Sequence, residues 1–285
     1  MDTQLSVRGL VLKCLSVGEA DRSLVILTSE GQLLDAWARG ARRSRSRLIS
    51  STQWLSLSDF HLYAVNGRLS VDQAERIEAF QAVTTDVERL TLAAYLGDVA
   101  MDLARAEIPD PVLPRLLLHA LVALGRPDRD PVIIAHAAAF RMTACSGFCP
   151  SLDRCGVCGD IVDSQAWFSH GRAAVLCRKA SCRRDAAASE PLHPGLLQCL
   201  RHILGATEES LFSFRLSEPV ARDFVALATR FVEERMEHRY ERLSLLESFQ
   251  SFGGGASPRK DASASRTSEP DDRDCGRQSS GNSDR

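Results

Sequence analysis

No stretch of this 285-residue chain approaches the roughly 18 uninterrupted apolar residues of a membrane-crossing helix, which argues against a membrane role. The first eight residues lack a basic segment followed by an apolar one, so no secretory leader is expected and the cytoplasm is the expected compartment. Positive charge is not in excess either: 35 Lys and Arg against 37 Asp and Glu leave a net charge of −2. Domains that bind nucleic acid are commonly basic as a whole, so any such role here must rest on where the charge sits. The signatures of common enzymes are missing too. There is no Walker loop, no nucleophile elbow, no His-Glu-x-x-His and no tight acidic cluster for magnesium, so no catalytic function is expected. The histidines at 61, 119, 136, 193, 202 and 238 are scattered and read as structural or surface residues.

What is present begins with strands. Short apolar-rich segments at 9–17, 23–28 and Leu33–Ala38 are followed by two longer ones at 52–65 and 68–80. A turn at Ser29, Glu30 and Gly31 separates the second from the third. Asn66 and Gly67, a strong hairpin signal because both tolerate positive φ, separate the last two. In the fourth segment Trp54, Phe60, Leu62 and Ala64 share one parity, and Leu55, Leu57 and Tyr63 share the other. Both faces are thus partly apolar, as in a closed barrel that also packs on another element. Five strands with one long basic loop predict a barrel of the oligonucleotide-binding (OB) type over residues 1–80, with an SH3-like barrel as the alternative.

Beyond Phe80 the periodicity becomes helical, and the fold class expected is α+β: a barrel, then a helical domain over 81–252. Thr85 and Glu88 form a capping box opening a helix to about residue 106, with Leu90, Ala93, Ala94, Gly97, Ala100, Met101 and Ala104 on one side. Asp110 before Pro111 and Asp130 before Pro131 each place an N-cap ahead of a proline, and the second helix should stop at Gly147. Ser217 opens the last long helix, with a core stripe of Phe224, Leu227, Ala228, Phe231, Val232 and Met236. Residues 253–285, without one large apolar side chain, are expected to be disordered; they contain Asp271, Asp272 and Cys275, to which no role is given.

Nine cysteines is an odd count, and they are clustered, which favours metal binding over a disulfide framework. Cys155 and Cys158 flank a two-residue turn; Cys177 and Cys182 follow after 18 residues. This outlines a zinc-ribbon-like module at about 147–190, with Gly156 and Gly159 giving the turn its freedom and two short strands in the intervening loop. Four thiolates would close the coordination sphere of one Zn2+, making it structural. Cys145, Cys149 and His170 are lesser candidates as ligands, and the second pair is more widely spaced than usual.

Arg39, Arg42, Arg43, Arg45 and Arg47 place five guanidinium groups in nine residues, with no carboxylate until Asp59. Forked donors interleaved with Ser44 and Ser46 suit phosphate oxygens, and in an extended loop Arg43, Arg45 and Arg47 would point one way. A second acid-free run, Arg172, Arg178, Lys179, Arg183 and Arg184, overlaps the cysteine module and is the weaker candidate for DNA contact.

Three stretches together resemble the bacterial DNA repair protein RecO family: 9–12 with Gly18 to Arg22, Ala38 to Leu48, and Gly147 to Leu152 leading into Cys155–Gly159. The resemblance spans about residues 5–250 and leaves out the tail. It implies an N-terminal OB domain and a helical domain with a zinc module. It also implies binding to single- and double-stranded DNA, strand annealing, and action with RecR on DNA coated by single-strand-binding protein so that RecA can load. Such a protein is cytoplasmic and associated with the nucleoid. The chain departs from the family pattern at Gly171 and Arg172, where a glycine pair is usual, in the Cys177 to Cys182 spacing, and in its tail. A zinc-ribbon transcription regulator is the competing class, but no helix-turn-helix or basic helix face suited to a major groove is evident.

Overall fold

The computed structural model describes residues 4–65, 67–105, 108–184 and 189–243. Asn66 and the whole 253–285 tail, with Asp271, Asp272 and Cys275, lie outside the described residues.

Five strands, β1 (Gln4–Val17), β2 (Asp21–Thr28), β3 (Leu33–Ala38), β4 (Leu57–Val65) and β5 (Arg68–Glu78), close into a barrel in the order β1-β2-β3-β5-β4. All neighbours are antiparallel except β3 and β5, so the barrel has the OB-type arrangement expected. One long strand serves two neighbours: the first half of β1 pairs with β4 and the second with β2. At the crossover a Cβ on Gly9 would sit 2.4 Å from the Ile26 side chain, so only glycine lets the two strands meet there. A bulge between Val11 and Lys13 bends the strand, and the Leu12 carbonyl accepts the Trp54 indole N–H at 2.9 Å.

Val11, Leu24, Ile26, Ala36, Phe60 and Leu62 fill the interior of the barrel. Leu10, Leu12, Leu27 and Leu55 face outward and join a second, larger core shared with the helices. This is the physical reason for the two apolar faces read from the sequence. The fourth segment is shorter than expected: residues 52–56 are turns, and β4 begins only at Leu57. Leu55, with φ +60, turns the chain so that its N–H reaches the Val11 carbonyl and its side chain is buried.

The helices are α1 (Gln81–Thr84), α2 (Val87–Leu103), α3 (Val112–Leu124), α4 (Pro131–Thr143), α5 (Ala180–Arg184), α6 (Pro194–Gly205) and α7 (Glu218–Met236). The capping box is corrected by one residue. Thr85 donates to the Gln81 carbonyl and closes the single turn α1, leaving Asp86 to accept the Arg89 N–H and cap α2. Helix α2 is also buried on more than the expected side, taking in Leu92, Tyr95, Leu96, Val99 and Leu103, because it lies between the barrel and α3 and α4. Asp130 caps as expected, accepting from Val132 and Ile133 N–H, whereas α3 starts one residue later than read: Pro111 stands at its N-cap, and Asp110, one position before, accepts the Val112 N–H. In α4 four buried alanines, 135, 137, 138 and 139, allow α2, α3 and α7 to approach one central helix. The α7 stripe is core, as read, with the Phe231 ring tilted against that of Phe140 at 4.8 Å between centroids.

After a last π-type turn at Ala144–Phe148, where Gly147 takes φ +98, the chain enters the cysteine module. Its two expected strands, β6 (Ala166–Ser169) and β7 (Ala174–Leu176), are joined by a third, β8 (Ser189–Leu192), in the order β7-β6-β8. Helix α6 has no counterpart in the sequence reading, since its start is signalled by His193, an uncommon cap. The ring Nδ1 accepts the Gly195 N–H at 3.1 Å, and Pro194 follows at the first turn.

Candidate nucleic-acid interface and metal centre

The loop between β3 and β4 carries Arg39, Arg42, Arg43, Arg45 and Arg47, and all five are exposed. Its backbone is a chain of turns and not an extended ribbon. Arg43 N–H bonds to the Gly40 carbonyl, Ser46 N–H to Arg43, and Thr52 N–H to Leu48. The expected alternation of arginines on one side is therefore replaced by a curved ridge.

That ridge is anchored from below by the turn between β1 and β2 and by the first residues of β2. Asp21 accepts the Gly40 N–H at 2.8 Å and the Trp37 indole N–H at 3.1 Å. Arg22 donates to the Ile49 carbonyl and to Thr52 Oγ1, and Arg42 donates to the Gly18 carbonyl while its own N–H reaches Ala20. Two stretches that carried the resemblance, Gly18 to Arg22 and Ala38 to Leu48, thus hold each other. The hydrogen bonds from Gly40 and Trp37, with Arg43 and Arg39 nearby, keep the Asp21 carboxyl below its ordinary range. Asp21 is also the carboxylate that the one-dimensional run did not show. Chemically, the ridge presents fixed forked cations to a polyanion, with its backbone already ordered.

In the cysteine module the sulfurs of Cys155, Cys158, Cys177 and Cys182 all lie within 4.8 Å of one another, with Cys158 and Cys177 at 3.7 Å. Gly159, at φ +76, closes the first turn with its N–H on the Cys155 carbonyl. Gly156 serves a different need from the flexibility expected: a Cβ there would come within 2.7 Å of the Ala174 Cβ. The wide second spacing is absorbed by α5, whose turn carries Cys182 back towards Cys177. Arg201 on α6 donates to the Leu152 and Val162 carbonyls and ties the first turn to the helices.

Burial raises the Cys155 thiol, but the N–H groups of Cys158, Cys177 and Val157 outweigh it and bring the group down to about 6. The Asp160 N–H favours a Cys158 thiolate, yet burial and the neighbouring sulfurs push Cys158 up to about 12. The Cys155 thiolate therefore forms readily while Cys158 and Cys182 resist, a conflict that a cation at the centre removes. The donor set fits a tetrahedral metal ion. Cys145 and Cys149, both exposed, are not part of the cluster. Nor is His170, which is neither ligand nor solvated: its ring is buried, with Nε2 2.9 Å from Glu190 Oε1.

The second basic run loses much of its apparent charge in space. Lys179 Nζ is 2.5 Å from Asp160 Oδ2, and the Arg183 guanidinium lies 4.4 Å over the Trp167 ring. Arg172, Arg178 and Arg184 are exposed. Sequence reading missed the anchors Asp21 and Arg22, which sit in the Gly18 to Arg22 stretch without announcing partners 16 to 30 residues away.

Comparison with known proteins accords with this architecture. The family model for the N-terminal part of recombination protein O matches residues 1–80, and that for its C-terminal part matches 84–244. The DNA repair protein RecO of Acetivibrio thermocellus is 31% identical over 243 residues, covering 85% of this chain and 96% of the relative. That of Rubrobacter xylanophilus is 35% identical over 198 residues, 69% of this chain and 79% of the relative. That of Thermoanaerobacter sp. is 24% identical, over 87% and 99%. The chain belongs to the RecO family of DNA repair proteins.

Proposed function

We propose that this chain binds single- and double-stranded DNA through the arginine ridge and speeds the pairing of complementary strands without ATP or any covalent step. In recombinational repair it would act with RecR to load RecA on DNA coated by single-strand-binding protein, in the cytoplasm at the nucleoid. The observation that carries this reading is the ridge itself: five exposed arginines held on an anchored loop of an OB-type barrel. Two single strands repel each other, and a protein that neutralises phosphates on both lowers the barrier to encounter. The second surface, at Arg178 and Arg184 with Lys179 and Arg183 beside it, would hold the other strand more weakly. The metal is Zn2+, bound by Cys155, Cys158, Cys177 and Cys182, with no open position for chemistry.

The test is annealing of labelled complementary oligonucleotides, bare and coated with single-strand-binding protein. Acceleration on both substrates that is lost at high salt supports the reading, because exposed charge contacts are screened. Binding without acceleration on either substrate would overturn it in favour of a sequence-reading regulator, and magnesium-dependent cleavage would reveal an enzyme instead.

A further inference from the structure

The chain has three tryptophans. Trp54 and Trp167 pack against the larger core, but Trp37 belongs to neither core cluster. It lies on β3 between Ala36 and Ala38, which face the barrel interior, so its ring is on the outer face. The strand register places it in a row running Leu15, Ser23, Trp37, Ser70 across β1, β2, β3 and β5. Leu15 is 52% exposed. The row therefore holds an open leucine and a half-buried indole, flanked by Ser23 and by the buried Ser70, whose hydroxyl donates to the Trp37 carbonyl.

Two features show that this ring is held in place, although no core holds it. Its N–H is bonded to Asp21, the same carboxylate that anchors the arginine ridge. Arg39, two positions on, is the first residue of the turn that leaves β3, and its charge lies near enough to Asp21 to favour the same carboxylate that holds the ring. The neighbouring row on the same face runs Lys13, Val25, Asp35, so a further cation, with one carboxylate beside it, continues the path.

We propose that Trp37 is a stacking platform for an unpaired base, with Leu15 extending the apolar strip and Arg39 taking the adjacent phosphate. This deepens the DNA-binding reading and rests on it. The occupant is a single strand because its bases offer free π faces, whereas duplex bases are already stacked on one another. The ridge alone would hold either form by its phosphates; the indole gives the preference for single strands.

The experiment uses the full chain with three probes: oligo-dT, an abasic strand of equal length, and a duplex. Trp37→Ala should weaken oligo-dT binding by about tenfold, within the range for one base on one ring, and leave the abasic strand and duplex unchanged. Trp37→Phe should restore most of the loss. Oligo-dT should quench wild-type tryptophan emission more than the abasic strand does, and this difference should vanish in Trp37→Phe, which covers the case in which the alanine variant does not fold. Equal losses on all three probes would mean that Trp37 only supports the loop, and no loss on oligo-dT would mean that bases do not touch it; either overturns the platform while the DNA reading stands. Failure of the wild-type protein to bind any probe would overturn the DNA reading and the platform together.

Discussion

The two basic runs look alike in the sequence and differ in the folded chain. Around the barrel loop, five arginines stay exposed, only Arg42 giving a donor to the Gly18 carbonyl, while the backbone below them is tied to Asp21 and Arg22. In the cysteine module, Lys179 is spent on Asp160 and Arg183 on Trp167, so the fold uses these side chains to hold itself together. A count of cations along a chain thus overstates the charge offered to a ligand wherever the backbone brings carboxylates and rings back to them. The barrel loop escapes this because its one carboxylate partner, Asp21, is engaged mainly with a backbone N–H and an indole.

This comparison can be broken at the metal centre first. Replacing Cys155 with serine should cost the module several kcal/mol, the scale of structural zinc sites, and elemental analysis of protein purified without chelator should fall from one zinc per chain to none. The barrel should keep its own transition, since its interior contains none of the four cysteines. A single concerted loss of both regions would show that the module supports the barrel as well.

Next in size is charge reversal on the ridge. Arg42→Glu, Arg43→Glu and Arg45→Glu together should weaken single-strand binding by about a hundredfold at ~0.1 M salt and flatten the salt slope by about two units, at roughly 0.7 per lost phosphate contact. The same change at Arg178 and Arg184 should do much less. Equal effects, measured by fluorescence anisotropy across a salt series, would erase the distinction between the two runs.

The smallest effect concerns the anchor. A carboxylate whose folded pKa lies below its unfolded value of ~3.9 stabilises the fold at all pH above that value, and this contribution is lost as pH falls through the folded one. Asp21 is such a group, so the loop should stay anchored through the neutral range and loosen only in strong acid. Asp21→Asn should bring part of that loosening to pH 7, read as faster amide exchange at Gly40 after correction for intrinsic rates. Unchanged protection there would place the anchor on Arg22 alone.

Much of this was legible in the sequence because the signals are local. Period-two strands, Asp-Pro helix starts, the α7 stripe and the first Cys pair all depend on residues a few positions apart. What was not legible depends on distant partners. The length of β4 is cut short because residues 52–56 are recruited to close the arginine loop against β1. The curvature of that loop depends on Asp21, and the role of His170 depends on Glu190, 20 residues on. The cap of α2 moved from Thr85 to Asp86 because a preceding single turn claimed the threonine.

The turn between β2 and β3 sets how the barrel is aimed. Gly31, at φ +89, sits so close to the start of α3 that a Cβ would meet the Asp110 carbonyl oxygen at 2.4 Å. It is the fulcrum of a lever whose arm is β3, roughly 20 Å of strand at the usual rise, and whose far end carries Trp37 and Arg39. A side chain at the fulcrum would act as a shim between the barrel and the segment that leads into α3, and the strand it displaced would carry Trp37 and the loop beyond it along. The seat of the arginine loop is therefore set in part by a glycine at the opposite end of β3.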